Sequence, residues 1–146
     1  MIEIVADKDI PYLKEVFENS KTFRLKTLPF DEINKKTLKN SQALLSRSAT
    51  ILNDELINGT DIKFIFSLTS GEDHIDHDFL SSREIFIKTA KGANAQAVLE
   101  YTLDALSFSS EKKVGLIGEG HIGSKLKKVL SFFNYETITF DPYKFE

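Results

Sequence analysis

The stretch Val114-Gly115-Leu116-Ile117-Gly118-Glu119-Gly120-His121-Ile122-Gly123 decides how this chain is read. Its glycines at 118, 120 and 123 fall in the spacing G-x-G-x-x-G. The run Val114–Ile117 before them has the β-branched, apolar character of a strand. After them, Ile122, Leu126, Val129 and Leu130 share one face of a helix expected over His121–Phe133. A second strand-like run, Thr137–Phe140, ends at Asp141, about twenty residues past the loop. The glycine spacing alone is a weak signal. Set between a strand and a helix, with an acid at the end of the next strand, it has the full context of a dinucleotide site.

The residue types suit that chemistry. Gly118 permits a tight turn out of the strand. Gly120 has no Cβ, so a pyrophosphate can approach the backbone, and Gly123 lets the helix sit close to the sheet. His121 and Ile122 complete the loop at a helix N-terminus, where unpaired N–H groups and the positive dipole end favour an anion. Asp141 would accept hydrogen bonds from ribose hydroxyls and repel a 2′-phosphate, which predicts NAD rather than NADP. The expected cofactor-binding set is therefore Gly118, Gly120, His121, Ile122, Gly123 and Asp141. The alternative is a glycine-rich turn that binds nothing, with Asp141 a turn residue before Pro142. Glu119 is mildly unwelcome electrostatically beside a pyrophosphate, but its side chain can point to solvent.

Upstream, short apolar runs alternate with amphipathic stretches. Strands are expected at Ile2–Val5, Thr22–Leu25, Ala43–Ser46, Phe64–Leu68 and Ile85–Lys88. Asp9 reads as the N-cap of a helix with Pro11 in its first turn and Tyr12, Val16 and Phe17 on one face. Further helices are expected at Asn53–Asn58, closed by Gly59, at Asp76–Ser81 and at Asn94–Phe108. In the last, Val98, Tyr101, Ala105 and Phe108 recur at spacings of three and four, and Leu99, Leu103 and Leu106 widen the apolar face. The polar, Lys-rich stretch from Pro29 to Asn40 receives no element. Strands alternating with helices predict a parallel α/β architecture. The expected division is 1–92, a crossing helix over 93–110, and a β-α-β unit over 111–146.

Composition narrows the classes. The chain has 146 residues, 41% hydrophobic and 28% charged, which is globular and argues against disorder. Lys+Arg is 19 against Asp+Glu 22, so no basic footprint for nucleic acid is present. No cysteine occurs, which excludes disulfides and thiolate metal sites. The apolar runs are far shorter than the ~18 residues of a membrane span, and the opening residues lack a signal-peptide pattern. A cytoplasmic protein with no membrane partner is expected.

Three more segments join the glycine loop. Leu45-Ser46-Arg47-Ser48-Ala49-Thr50 resembles the R-S-x-T strand end of the D-isomer-specific 2-hydroxyacid dehydrogenases. Thr69-Ser70-Gly71-Glu72-Asp73-His74-Ile75-Asp76 resembles their T-x-G-x-D-x-[IV]-D segment. Gly92-Ala93-Asn94-Ala95-Gln96-Ala97-Val98-Leu99-Glu100 is similar to their G-x-N-A-x-A-V-x-E helix start. Ile10-Pro11-Tyr12, His74 in place of the usual Asn, and Tyr101 after Glu100 lean toward the branch that takes a small phosphorylated 2-hydroxy acid.

The resemblance implies a flavodoxin-like substrate domain followed by the first β-α-β unit of an incomplete Rossmann NAD-binding domain. It implies that Ser48 and Thr69 contact substrate and that Arg47 pairs with its phosphate or carboxylate. Arg47 reads equally as a strand-end salt bridge, and Ser48 and Thr69 as turn caps. Hydride transfer in that family uses an Arg, a Glu and a His from farther along the chain, so no catalytic residue is assigned. His74 and His77 lie among Asp73, Asp76 and Asp78, but the family segment accounts for this run without a metal. The expectation is the N-terminal part of a dehydrogenase, inactive alone, with residues 111–146 marginally stable or paired in a homodimer. The competing readings are a non-catalytic NAD-binding or interaction protein of the same descent, or a dehydrogenase of another 2-hydroxy acid.

Overall fold

The computed structural model describes residues 1–144; the last two residues of the expected 111–146 segment lie outside it. The chain divides into two compact units, Met1–Lys91 and one starting at Gly92.

The first unit contains five parallel strands: β1 (Ile2–Asp7), β2 (Phe23–Leu28), β3 (Ala43–Ser46), β4 (Phe64–Ser67) and β5 (Phe86–Thr89). Their order is β2-β1-β3-β4-β5, which is the flavodoxin-like order. Register sets Leu44 beside Val5 and Ile65. Strand alternation sends these three to one face, where Leu38, Ile57 and Leu80 close the core from helices α2 (Lys35–Leu38), α3 (Asp54–Ile57) and α4 (His77–Ser82). Each fully buried Leu or Ile there contributes roughly 1.5–3 kcal/mol. On the opposite face Ala6, Leu25 and Leu45 meet Ile10 from the preceding loop and Leu13 and Phe17 from α1 (Leu13–Phe17).

Three local expectations change. Asp9 does not cap α1. The helix starts after Tyr12, which takes a left-handed φ of 62°, and Asp9 turns its carboxylate to Arg47. The inward face of the segment is Ile10, Leu13 and Phe17, while Tyr12 and Val16 are exposed. β2 runs on to Leu28 because it pairs with all six residues of β1, an edge-strand extension that no apolar alternation marks. The unassigned Lys-rich stretch holds α2. Asn34 accepts the Lys36 and Thr37 amides, and Thr37 Oγ1 accepts the Asn34 amide, a capping box that fixes the helix start.

The second unit contains α5 (Ala95–Ser107), β6 (Lys113–Ile117), α6 (His121–Phe132) and β7 (Glu136–Phe140), with β6 and β7 parallel. Leu99, Leu116, Leu126 and Leu130 form its core, joined by Leu103 and Leu106. The inward stripe of α5 is thus Ala95 and Leu99, both buried, with Leu103 and Leu106 half-buried beside them. Tyr101, Ala105 and Phe108, expected to face inward with Val98, are exposed. Both stripes satisfy helical spacing, and packing against α6 selects the leucines. Among the described residues no helix is long and apolar enough to cross a membrane.

Candidate functional site

The glycine loop joins β6 to α6. Gly118 has φ +91°, a conformation that L side chains rarely adopt, and its amide donates to the Phe140 carbonyl at 2.7 Å. Gly120 occupies the N-cap position, and a Cβ built on it meets nothing within 4 Å. That open space over the helix N-terminus is where a phosphate group fits. A Cβ on Gly123 would collide with the Gly118 carbonyl oxygen, so this glycine is required by the turn's own backbone as well as by close helix packing. His121 begins α6 and lies exposed; Ile122 is half-buried behind it. The His121 ring approaches Gly92, where a Cβ would stand 3.5 Å from its Cγ.

Asp141 sits against this loop. One carboxylate oxygen accepts the Glu119 amide at 2.6 Å and the other accepts the Tyr143 amide at 2.9 Å. These two N–H donors, the first foremost, hold its pKa below the ordinary carboxylate value. Each oxygen keeps acceptor capacity for a ribose hydroxyl. Glu119, which was free to point to solvent, does not. Its carboxylate folds back to Lys127, and Thr139 and Lys144 lie close by. The Lys127 hydrogen bond is the main cause of its lowered pKa. The residues present therefore fit a dinucleotide: open backbone at Gly120, an acceptor at Asp141, and a neutralised charge at Glu119.

In the first unit, the sequence-predicted substrate residues lie at the carboxyl ends of β3 and β4, the edge where ligands bind in open parallel sheets. Arg47 Nε donates to Asp7 Oδ2 at 2.8 Å, and its Nη2 donates to Asp7 Oδ1 at 3.3 Å and Asp9 Oδ2 at 2.9 Å. The salt-bridge reading of Arg47 is thus realised. Asp7, then Asp9, hold its pKa above the usual guanidinium value. Asp7 is fully buried while the Arg47 side chain is 36% exposed, so the guanidinium still faces outward in part. Ser48 lies exposed in the turn closed by the Thr50 amide on the Arg47 carbonyl at 3.1 Å. Thr69 Oγ1 is 3.0 Å from the Ser67 hydroxyl. The two histidines of the acidic run face different surroundings. His74 turns inward to Ser67 at 2.9 Å, and His77 lies 3.6 Å from Glu72. Glu72 also accepts the Thr89 hydroxyl at 2.9 Å, the first cause of its lowered pKa.

Asp7, Ser67 and Lys127 are site residues that the sequence reading did not single out. An acid ending the apolar run Ile2–Ala6 was a usable signal for Asp7. Lys127 carried none, because a helix lysine facing a loop glutamate looks like any solvated charge.

A family model described as the catalytic domain of D-isomer specific 2-hydroxyacid dehydrogenases matches residues 1–139. The chain belongs to this family. Erythronate-4-phosphate dehydrogenase of Hahella chejuensis is 39% identical over 151 residues, covering 98% of this chain and 39% of that protein. The chain spans about two-fifths of the length of such curated relatives. Among solved 2-hydroxyacid dehydrogenases, NAD+-bound 3-phosphoglycerate dehydrogenase of Entamoeba histolytica has TM-score 0.72 at 19% identity, over 99% of this chain and 55% of that one. D-lactate dehydrogenase of Aquifex aeolicus, complexed with NAD and lactic acid, has TM-score 0.72 at 20% identity, over 99% and 52%. The fold is the one the sequence predicted.

Proposed function

We propose that this chain supplies the substrate-gripping edge and the pyrophosphate loop of an NAD-dependent dehydrogenase acting on 4-phosphoerythronate. The loop from Gly118 to Gly123, with Asp141 bound to its Glu119 amide, is the observation that carries the cofactor half. The 39% identity to an erythronate-4-phosphate dehydrogenase carries the substrate half. Gly118, Gly120, His121, Ile122 and Gly123 would hold the pyrophosphate, and Asp141 the ribose. NAD, when bound, supplies the hydride acceptor. Arg47, with Ser48 and Thr69 beside it, would meet the substrate's anionic groups.

The same reading carries with it a cytoplasmic location, a place in pyridoxal 5′-phosphate synthesis and a second copy as partner. His74 is committed to Ser67, His77 lies beside Glu72, and His121 is exposed at the start of α6. The Arg, Glu and His that the family resemblance implies for hydride transfer are not assigned to residues of this chain, so this chain alone binds without turnover. Calorimetric titration tests the proposal. NAD should bind at least tenfold more tightly than NADP, and Gly120→Val should abolish the heat. Equal binding of both nucleotides, or none, refutes the cofactor half. Turnover of 4-phosphoerythronate with NAD by the isolated chain refutes the inactivity.

A further inference from the structure

Where β4 ends, three polar side chains touch in a row. Ser67 Oγ, fully buried, lies 3.0 Å from Thr69 Oγ1 and 2.9 Å from His74 Nε2. His74 is itself 6% exposed. Its backbone is held by Leu52, whose amide donates to the His74 carbonyl at 2.8 Å and whose carbonyl accepts the Asp76 amide at 2.9 Å. The other ring nitrogen, Nδ1, is buried with no hydrogen-bond partner among the described residues.

Each hydroxyl carries one proton and can accept twice; if both neighbours donate to Ser67, its fully buried proton finds no acceptor in the row, which leaves two self-consistent directions. In the first, Nε2 is bare and accepts from Ser67. Ser67 then accepts from Thr69, and the Thr69 proton is consumed inward. In the second, Nε2 carries the proton and donates to Ser67. Ser67 then donates to Thr69, and the Thr69 proton is left for a partner outside.

The buried Nδ1 decides between them. A neutral imidazole has one N–H. The first direction puts it on Nδ1, where no acceptor exists, and an orphaned buried N–H is among the rarest features of folded proteins. The second leaves only a lone pair there, the milder of the two orphans.

We infer that the row runs from His74 Nε2–H through Ser67 Oγ–H to Thr69 Oγ1–H, making Thr69 a donor tuned to an anionic oxygen of the substrate. The inference rests on the proposal that Thr69 faces substrate, and it adds the polarity of that contact. His74 is a positioning residue. It touches no ligand and sets which way the Thr69 proton points. An oxygen of a carboxylate or a phosphate accepts from such a group, whereas a substrate hydroxyl offering its own proton competes with it.

The direction is measurable on the native chain. In a long-range 1H–15N correlation spectrum of the 15N-labelled protein at pH 8, with His74 identified by its loss in His74→Gln, we expect Nε2 protonated and Nδ1 bare. A proton on Nδ1 with Nε2 bare overturns the inference. Calorimetry supplies the second arm. Thr69→Val should bind 4-phosphoerythronate about tenfold more weakly or worse, as befits a lost bond to a charged group, and Thr69→Ser should stay within about threefold of the native chain. Ser67→Ala, which cuts the row and leaves Thr69 in place, should also weaken the anion. Unchanged binding in Thr69→Val overturns the donor role. Erythronate and inorganic phosphate, titrated separately, distinguish a carboxylate partner from a phosphate: the one whose affinity Thr69→Val reduces is the one Thr69 holds. If the native chain binds none of the three, the substrate reading of the preceding section fails, and the spectrum still judges the direction of the row.

Discussion

Asp7 and Arg47 form an ion pair with unequal burial, and the inequality predicts unequal mutational costs. Asp7 is fully buried, and the Arg47 side chain is 36% exposed. Arg47→Met removes the guanidinium and leaves a buried carboxylate with the Asp9 amide, at 3.0 Å, as its remaining hydrogen-bond donor among the described residues. Breaking a buried pair this way costs 3–5 kcal/mol in general, and the partial exposure of Arg47 argues for the lower end, about 3 kcal/mol. Asp7→Asn keeps the volume and an acceptor, and it leaves the cation beside Asp9 and water. That loss is about 1 kcal/mol. With a urea slope near ~2 kcal/mol/M, the midpoints fall by about 1.5 M and about 0.5 M. The chain has two units, so unfolding should be followed through the amide signals of Val5 and Leu44, which report on the first unit alone. If Arg47→Met proves no more damaging than Asp7→Asn, the buried charge does not dominate this corner and the reasoning fails.

Other expectations follow from the loop and the cores. Gly123→Ala should lose amide protection across α6 and β7, because its Cβ meets the Gly118 carbonyl, whereas Gly120→Ala should keep that protection and weaken NAD in calorimetry. Asp141→Asn retains an acceptor for the Glu119 amide and loses the charge, so the preference for NAD over NADP should shrink about tenfold in paired titrations. Glu72, Glu119 and Asp141 have folded-state pKa values below their ordinary ones, so their stabilisation is present above the unfolded pKa near ~4 and disappears as pH falls through the lower folded values. Thermal melts from pH 7 to 2.5 should thus be level down to about pH 5 and then drop; a melt temperature rising toward acid contradicts this. Leu130→Ala, at a fully buried position in the second unit, should cost roughly 2–5 kcal/mol in denaturant unfolding.

Much of this was legible in the sequence because the informative residues act locally. Gly118 needs a positive φ and Gly123 needs the space of its missing Cβ, and a turn between a strand and a helix declares both. Asn53 and Asp76 announce their helices by capping the amides of Leu56 and Phe79. What was lost in the sequence is decided by partners far along the chain. The two apolar stripes of α5 are equivalent until α6 chooses Leu99 and Leu103. Asp9 is as good a cap as any Asp until Arg47, thirty-eight positions on, takes its carboxylate. Glu119 looks like a solvated charge until Lys127 reaches it from two turns into α6. The row from His74 to Thr69 needed atomic positions, since a serine in a buried strand reads as filler.

The double duty of Asp141 constrains how this chain could change over generations. The carboxylate proposed to choose the nucleotide also clasps the amide of Glu119 and so shapes the loop that receives the phosphates. A lineage drifting toward a 2′-phosphorylated nucleotide cannot simply discard the acid for a small or basic side chain. It must at the same step find another acceptor for that amide, or let the loop slacken. Asparagine and serine, which lose the charge and keep an oxygen, are the passable intermediates, and a direct exchange to arginine would have to arrive with a compensating change at position 119.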